Sequence, residues 1–289
     1  MIRAGILSGM VALAGCSDGM PAHRLPTTDA APQRIVSINP CVDAILMEIA
    51  DPRQIAGISH YSHDPRASSI SMAEARHYVA VSGNAEDVIH ARPDLVISGP
   101  HVSIQTLAAL KRLGIPLMQL TVPESIAESK SQIDAIAVRI GRTAQGRQLN
   151  RRIDAAVAHA ARHDGPLVPA LIWQSSGLVP GKNTLADELM TRAGFRNLSG
   201  DLGLKQWDRL PLEGLLMQPP QLLLAGMANM GAGDGDANRM LSHPALKMAG
   251  TRIRIADYPS SLLHCGGPVI IRAMARLAAV RSGLKGGDS

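Results

Sequence analysis

The chain has 289 residues, 46% of them hydrophobic, a net charge of +5, and few aromatics: two Trp, three Tyr and one Phe. That length fits one large or two ordinary domains around an aliphatic, methionine-rich core. The basic residues are scattered, with no run and no interleaved aromatics, which excludes a nucleic-acid surface.

The N-terminus comes first. Arg3 precedes an apolar run from Ala4 to Gly15, and small residues lead to Cys16. This is the layout of a secretory signal, and it is too short for an ordinary membrane span. Leu13-Ala14-Gly15-Cys16 resembles the bacterial lipobox, which implies a lipidated Cys16 and an exported chain held at the cell envelope. No second apolar segment reaches spanning length. Residues 17–33 are Pro-, Ala-, Thr- and Asp-rich without period and read as a tether. Cys41 and Cys265 are expected as two separate thiols; an oxidising compartment permits a bridge, but spacing does not decide it.

From Arg34 the chain alternates. Arg34–Ile38 reads as a strand, Val42–Ile49 as a helix and Gln54–Ser59 as a strand, followed by a polar loop over His60–Ser69. Then come a short helix at Ala85–Ala91, a Pro stop, a strand at Asp94–Ser98, and a helix at Ile104–Leu113 capped by Gly114. Pro116–Leu120 is the next strand. Residues 124–163 carry no strand signal; Ser125–Ile140 and Arg147–His163 have helical spacing. Alternation resumes with a strand at Leu167–Gln174, a helix at Thr184–Gly194, a strand at Gln221–Gly226, a helix at Arg239–Ala249, a strand at Arg252–Ala256 and a last helix at Val269–Gly283. Alternating strands and helices predict α/β architecture with parallel sheets.

One phrase occurs twice. Ala85–Gly99 aligns with Leu212–Gly226, so that Glu86 meets Glu213, Pro93 meets Pro220, Leu95 meets Leu222 and Gly99 meets Gly226, 127 positions apart. The repeat predicts two similar lobes flanking a helical spine: residues 34–123, 124–163 and 164–289, after a signal at 1–16. A ligand is expected beyond the carboxyl ends of the strands, between the lobes.

The ordered set of stretches resembles the bacterial periplasmic substrate-binding proteins for metal chelates, which serve ABC importers of vitamin B12, ferric siderophores and haem. The matching stretches are Arg34–Ile38, Ala56–Pro65, Gly83–Gly99, Leu110–Leu117, Leu178–Gly194, Leu210–Leu224 and Gly267–Ala278. The resemblance implies two Rossmann-like lobes joined by one long rigid helix. It implies a monomer that captures a cobalt or iron chelate and delivers it to an inner-membrane permease and its ATPase. It also implies that Glu86 and Glu213 dock onto arginines of that permease. On the residues alone, each glutamate equally favours a helix N-terminus.

The same resemblance assigns ligand contacts. Trp207, six residues before Glu213, matches a cleft tryptophan of the vitamin B12-binding member and is expected in a loop, offering a flat apolar face. Tyr61 matches a cleft tyrosine of that member, and Tyr258 lies near another cleft aromatic of relatives. A second tryptophan of the B12-binding member has no counterpart in Ala80–Glu86, which is one residue shorter. Trp173, His101 and Asn39 follow predicted strands and are expected to line the cleft; a strand-end Trp is also often core. A corrinoid leads among ligands, then a ferric siderophore, then haem.

Other readings compete. His60, His63 and His101 would hold bare zinc or manganese only if three or four ligands converge. Gly177–Thr184 looks like a phosphate loop, but its glycine spacing is one short and Asn183 replaces the required Ser or Thr; Gly181 is expected to serve a turn there. His264-Cys265 looks like a nucleophile pair without an orienting third group. No Gly-x-Ser-x-Gly elbow occurs, so no enzyme is expected. A sensing module remains the rival to transport. The Gly-rich stretch 227–240 is expected near the cleft, its methionines giving soft contacts.

Overall fold

The computed structural model describes residues 31–163, 165–174, 177–226, 243–244 and 253–285. Cys16, most of the tether, the Gly-rich stretch and nearly all of the helix expected at 239–249 lie outside them.

The N-terminal half forms a five-stranded sheet in the order β3-β2-β1-β4-β5. Its strands are β1 (Ile35–Ser37), β2 (Ile55–Ser59), β3 (Ala80–Val81), β4 (Leu95–Ser98) and β5 (Leu117–Gln119). Every pairing is parallel; Ile35, Val36 and Ser37 lie beside Leu95, Val96 and Ile97. β1 and β4 are buried throughout, which is why they read as continuous apolar runs. Helices α1 (Pro40–Ile49), α2 (Met72–Ala75), α3 (Ala85–His90) and α4 (Ile104–Arg112) connect them.

Helix α1 begins two residues earlier than its apolar spacing suggests. Asn39 accepts hydrogen bonds from the Cys41 and Val42 N–H groups at 2.8 and 3.2 Å, and Pro40 occupies the first turn, where its missing N–H costs nothing. This cap fixes Cys41 at the carboxyl end of β1.

The spine is a helical hairpin. The resemblance implies one long helix; here α6 (Thr143–Ala160) is the long one, and after Gly141, whose φ is +72°, it folds back along α5 (Ile126–Arg139). Lys130 pairs with Asp154 at 2.6 Å and Asn150 donates to Asp134 at 2.9 Å, so the two run antiparallel. A Cβ on Gly146 would sit 2.4 Å from that of Ala137, so close packing there requires glycine.

The C-terminal half carries a second parallel sheet, β11-β10-β6-β8. It comprises β6 (Val168–Ile172), β8 (Phe195–Asn197), β10 (Leu222–Ala225) and β11 (Arg254–Asp257), with α7 (Leu185–Arg192) and α8 (Leu212–Met217). An antiparallel pair, β7 (Leu178–Pro180) with β9 (Trp207–Arg209), stands apart. Helix α9 (Val269–Lys285) closes the fold against α6. The repeated phrase is α3–β4 in one lobe and α8–β10 in the other. One apolar cluster runs through both, from Ile35 and Leu95 through Ile133, Ile153 and Ala273 to Ala170 and Leu224.

The expectation of two separate thiols is wrong. Cys41 and Cys265 form a disulfide with Cα atoms 5.1 Å apart, joining α1 to the segment ahead of α9 across 224 positions. The cap on α1 and the close approach of Gly267 to Ile45 bring the two cysteines together. Hydrogen bonds follow the same seam: Ser69 Oγ donates to Ser261 O at 3.2 Å, and Gly267 N to Ser129 Oγ at 2.7 Å.

Asp43 lies fully buried under the N-terminal lobe. Burial pushes its pKa up to about 7, opposed by hydrogen bonds from Ser37, Ser62 and the Ser59 N–H. Its Oδ2 accepts from Ser62 Oγ at 2.5 Å and Ser59 N at 3.0 Å, anchoring the 3₁₀ turn His60–His63. A raised folded-state pKa stabilises below the unfolded value and is lost as pH climbs through the folded one. Wild type should therefore lose stability between about pH 4 and 7, by up to roughly 4 kcal/mol. Asp43→Asn should lack that slope, as urea unfolding across the range would show.

Candidate functional site

The carboxyl ends of the strands face a cavity of about 510 Å³. One wall comes from the N-terminal lobe: Asn39 after β1, Gly99 to His101 after β4, and Leu120 to Glu124 after β5. The other comes from the second lobe: Thr184 to Ala186 at the start of α7, Gln206 and Trp207 at β9, and Leu262 to His264 after β11. The walls meet at the Cys41–Cys265 bridge and Gly266–Gly267. Across the mouth, Gln206 Nε2 donates to Glu124 Oε1.

Trp207 is not in a loop; it opens strand β9, paired with Pro180. Three features hold it there. Gly181 N donates to Gln206 O at 2.7 Å. The Arg209 and Lys205 N–H groups hold the Asp208 carboxyl below its ordinary pKa, at 2.8 and 3.3 Å. Gly181 itself has no Cβ, and one would fall 1.8 Å from Lys205 O. Its role is thus close approach of two strands; the positive φ of that turn, +62°, belongs to Asn183. Trp207 remains 45% exposed, its indole available to the cavity.

His101 also lines the cavity, exposed and without a hydrogen bond among the described residues. Asn39 lines it too, although its side-chain oxygen is spent on the α1 cap; its amide nitrogen crowds Gly99, where a Cβ would lie 2.2 Å away. These three are the predicted residues that the cleft brings together.

The other three lie elsewhere. Tyr258 is 1% exposed, a core residue, and burial raises its hydroxyl above the ordinary phenol pKa. Trp173 is 2% exposed and donates Nε1–H to Leu210 O at 3.1 Å, bracing β6 against the β9–α8 link. Both follow strands of a parallel sheet, where burial persists past the last paired residue. Tyr61 is 53% exposed on the turn after β2, its ring 4.0 Å from that of His60, outside the cavity lining.

Among the described residues no three His, Cys, Asp or Glu side chains converge on a metal position. His60 Nδ1 lies 3.3 Å from Val81 O, and His101 is on another loop. Cys265 has no thiol to act as a nucleophile, since its sulfur is in the bridge. His264, its neighbour, lines the cavity; burial lowers its imidazole pKa, opposed by a hydrogen bond to the Ala67 backbone. Sequence reasoning missed His264, Glu124, Gln206 and Thr184 as cleft residues. The signal for Thr184 was present: it is the N-cap of α7, accepting from Asp187 N at 3.2 Å, and so sits where strand meets helix. The lining contains no Lys or Arg among the described residues.

Glu86 and Glu213 occupy the first turns of α3 and α8. Both are exposed, and neither side chain has a hydrogen bond or ion pair among the described residues. Each stands opposite a buried apolar partner in its helix, Val88 and Leu215. No helix among the described residues is long and apolar enough to cross a membrane.

The chain is 24% identical over 208 residues to a cobalamin-binding protein of Halobacterium salinarum, covering 70% of this chain. It spans only 56% of the length of that relative. Among solved structures, the apo periplasmic heme-binding protein RhuT of Roseiflexus sp. RS-1 superposes with a TM-score of 0.67 at 24% identity, covering 87% of this chain and 98% of that one. The periplasmic vitamin B12 binding protein BtuF of Vibrio cholerae gives 0.64 at 16% identity, covering 88% and 98%. Residues 35–252 match the family described as periplasmic binding protein. A match over that span, on two parallel-sheet lobes facing one cavity, means that this chain belongs to the periplasmic binding protein family, whose members bind rather than catalyse.

Proposed function

We propose that the chain is the substrate-binding component of an ABC importer, capturing a corrinoid in the interlobe cleft and delivering it to a permease. The cleft's chemistry carries this reading. Its lining is largely apolar, with Trp207 on one wall and Asn39, Thr121, Gln132, Thr184 and Gln206 as neutral polar groups, and no described Lys or Arg. A corrinoid periphery is rich in neutral amides, which suits such donors and acceptors. The carboxylates of an anionic siderophore or of haem propionates would be desolvated without a cationic partner, a costly arrangement. The cobalamin-binding relative supports the same choice.

Haem is the second reading, favoured by His101 and His264, two imidazoles on opposite walls of the cavity. Glu86 and Glu213 serve as docking carboxylates, one per lobe, for cationic residues of the permease. Cys16 carries the lipid that holds the exported chain at the envelope.

Equilibrium binding of cyanocobalamin, haemin and a neutral ferric trihydroxamate decides among ligands. Cyanocobalamin is expected to bind at least roughly tenfold more tightly than the other two, a difference of about 1.4 kcal/mol. Tighter binding of haemin, with a Soret shift lost in His101→Ala or His264→Ala, would replace the corrinoid by haem.

A further inference from the structure

The Cys41–Cys265 bridge is part of the cavity wall as well as of the fold. It lies where the two walls meet, with Cys41 in the first turn of α1 on one lobe and Cys265 ahead of α9 on the other. Cys41 is half-buried and Cys265 is 6% exposed, so a small thiol entering the cleft meets the Cys41 sulfur first. The neighbouring ties along this seam are single hydrogen bonds: Ser69 Oγ to Ser261 O, Arg272 to Ser69 O, and His264 with the Ala67 backbone. Each contributes little where water can replace it, so the bridge is the strong tie between the walls. Its chemistry favours exchange. Cys41 follows the Asn39 cap and Pro40 in a ten-residue helix, and a thiolate at that end is stabilised by the helix N-terminus. A stabilised thiolate makes a bridge easier to reduce.

We infer that this bridge is a thiol–disulfide exchange site for a dithiol that enters through the cavity, and that its redox state is coupled to ligand occupancy. A thiolate of the dithiol attacks Cys41 Sγ, and the S–S electron pair leaves on Cys265 Sγ, which takes a proton from water. The second thiol, deprotonated, attacks the dithiol sulfur of the mixed disulfide, and that electron pair leaves on Cys41 Sγ. The dithiol ends as an internal disulfide and the protein as two thiols, richer by two electrons. With the tie cut, Leu262–Gly267 is no longer fixed to Asn39–Cys41, and the walls lose the spacing preset for a ligand. A ligand in the cleft in turn covers the Cys41 sulfur. By linkage, the factor that reduction costs in ligand affinity is the factor by which bound ligand opposes reduction. The coupling rests on the proposed seating of a chelate in this cleft.

The test uses the oxidised chain from Ser17 onward. Dithiothreitol redox buffers without denaturant, with thiols counted by alkylation, are expected to bring the ligand-free bridge to equilibrium while circular dichroism shows the fold intact. Saturating cyanocobalamin is expected to slow reduction and to shift its equilibrium toward the bridge roughly tenfold, a potential lower by about 30 mV. Equilibrium dialysis should give a matching rise in Kd, roughly tenfold, for Cys41→Ser with Cys265→Ser. The dithiothreitol arm uses wild type and decides the matter even where the serine pair does not fold. A bridge reduced only after urea unfolds the chain would overturn the inference and leave the corrinoid reading standing. So would cyanocobalamin that binds but changes neither the rate nor the equilibrium of reduction. No binding of cyanocobalamin to the oxidised chain would remove the corrinoid reading, and haemin then takes its place in the dialysis arm. Equal haemin affinity with and without the bridge, or no haemin binding, would overturn the inference there as well.

Discussion

Replacing Cys41 and Cys265 by serine, or reducing the bridge, is expected to lower the unfolding free energy by about 2–5 kcal/mol. The bridge closes a separation of 224 residues. On the chain-entropy account a loop of that length costs the unfolded state about 5 kcal/mol of freedom; native-state adjustment and residual structure reduce the gain. The fold itself should survive, because the apolar cluster and the α5–α6 hairpin already join the lobes. In a domain of this size the loss corresponds to a fall in Tm of roughly 4–20 °C. Paired urea melts with and without a phosphine reductant would measure it. Coincident melts, with thiol titration confirming reduction, would show that the bridge adds nothing to stability.

Removing both carboxylates proposed to dock should have the largest effect on transport. Glu86→Ala with Glu213→Ala is expected to cut chelate uptake roughly a hundredfold, since close interfacial charge pairs couple by about 1.5 kcal/mol or more each. Both side chains are exposed and unpaired among the described residues, so stability should stay within about 0.5 kcal/mol. Chelate affinity should not change, because neither residue lines the cavity. Uptake assays in cells lacking the wild-type protein, with binding measured alongside, separate the two effects. Uptake unchanged by the double substitution would exclude docking through these glutamates and favour a sensing role.

Much of this was legible in the sequence, for physical reasons. Strands buried on both faces, such as Leu95–Ser98 and Leu222–Ala225, leave continuous apolar runs, and the Glu-to-Gly phrase around them repeats because both lobes build the same unit. Ala80–Val81, Leu178–Pro180, Phe195–Asn197 and Trp207–Arg209 span two or three residues each, too few to show a period, and were missed, whereas the equally short Ile35–Ser37 and Leu117–Gln119 were read with the help of the apolar residues that follow them, Ile38 and Leu120. The missed β9 is what moved Trp207 from an expected loop to a strand. Aromatics after strands are ambiguous in the same way. Trp207 reaches the cavity while Trp173 and Tyr258 turn into the core, and the difference depends on neighbours distant in sequence, such as Leu210 O beneath the Trp173 indole. The disulfide was hidden for the same reason, its partners being brought together only by the packing of α1 against the segment before α9.

A metal chelate held between the lobes is expected to pack against Trp207. The most direct measurement is equilibrium dialysis of cyanocobalamin against the chain from Ser17 onward, comparing wild type with Trp207→Ala. Trp207 is exposed to the cavity, so its removal should leave the fold intact. Loss of a flat contact of this kind is expected to raise Kd by roughly ten- to a hundredfold. Equal affinity in the two proteins would place the ligand elsewhere and contradict the claim.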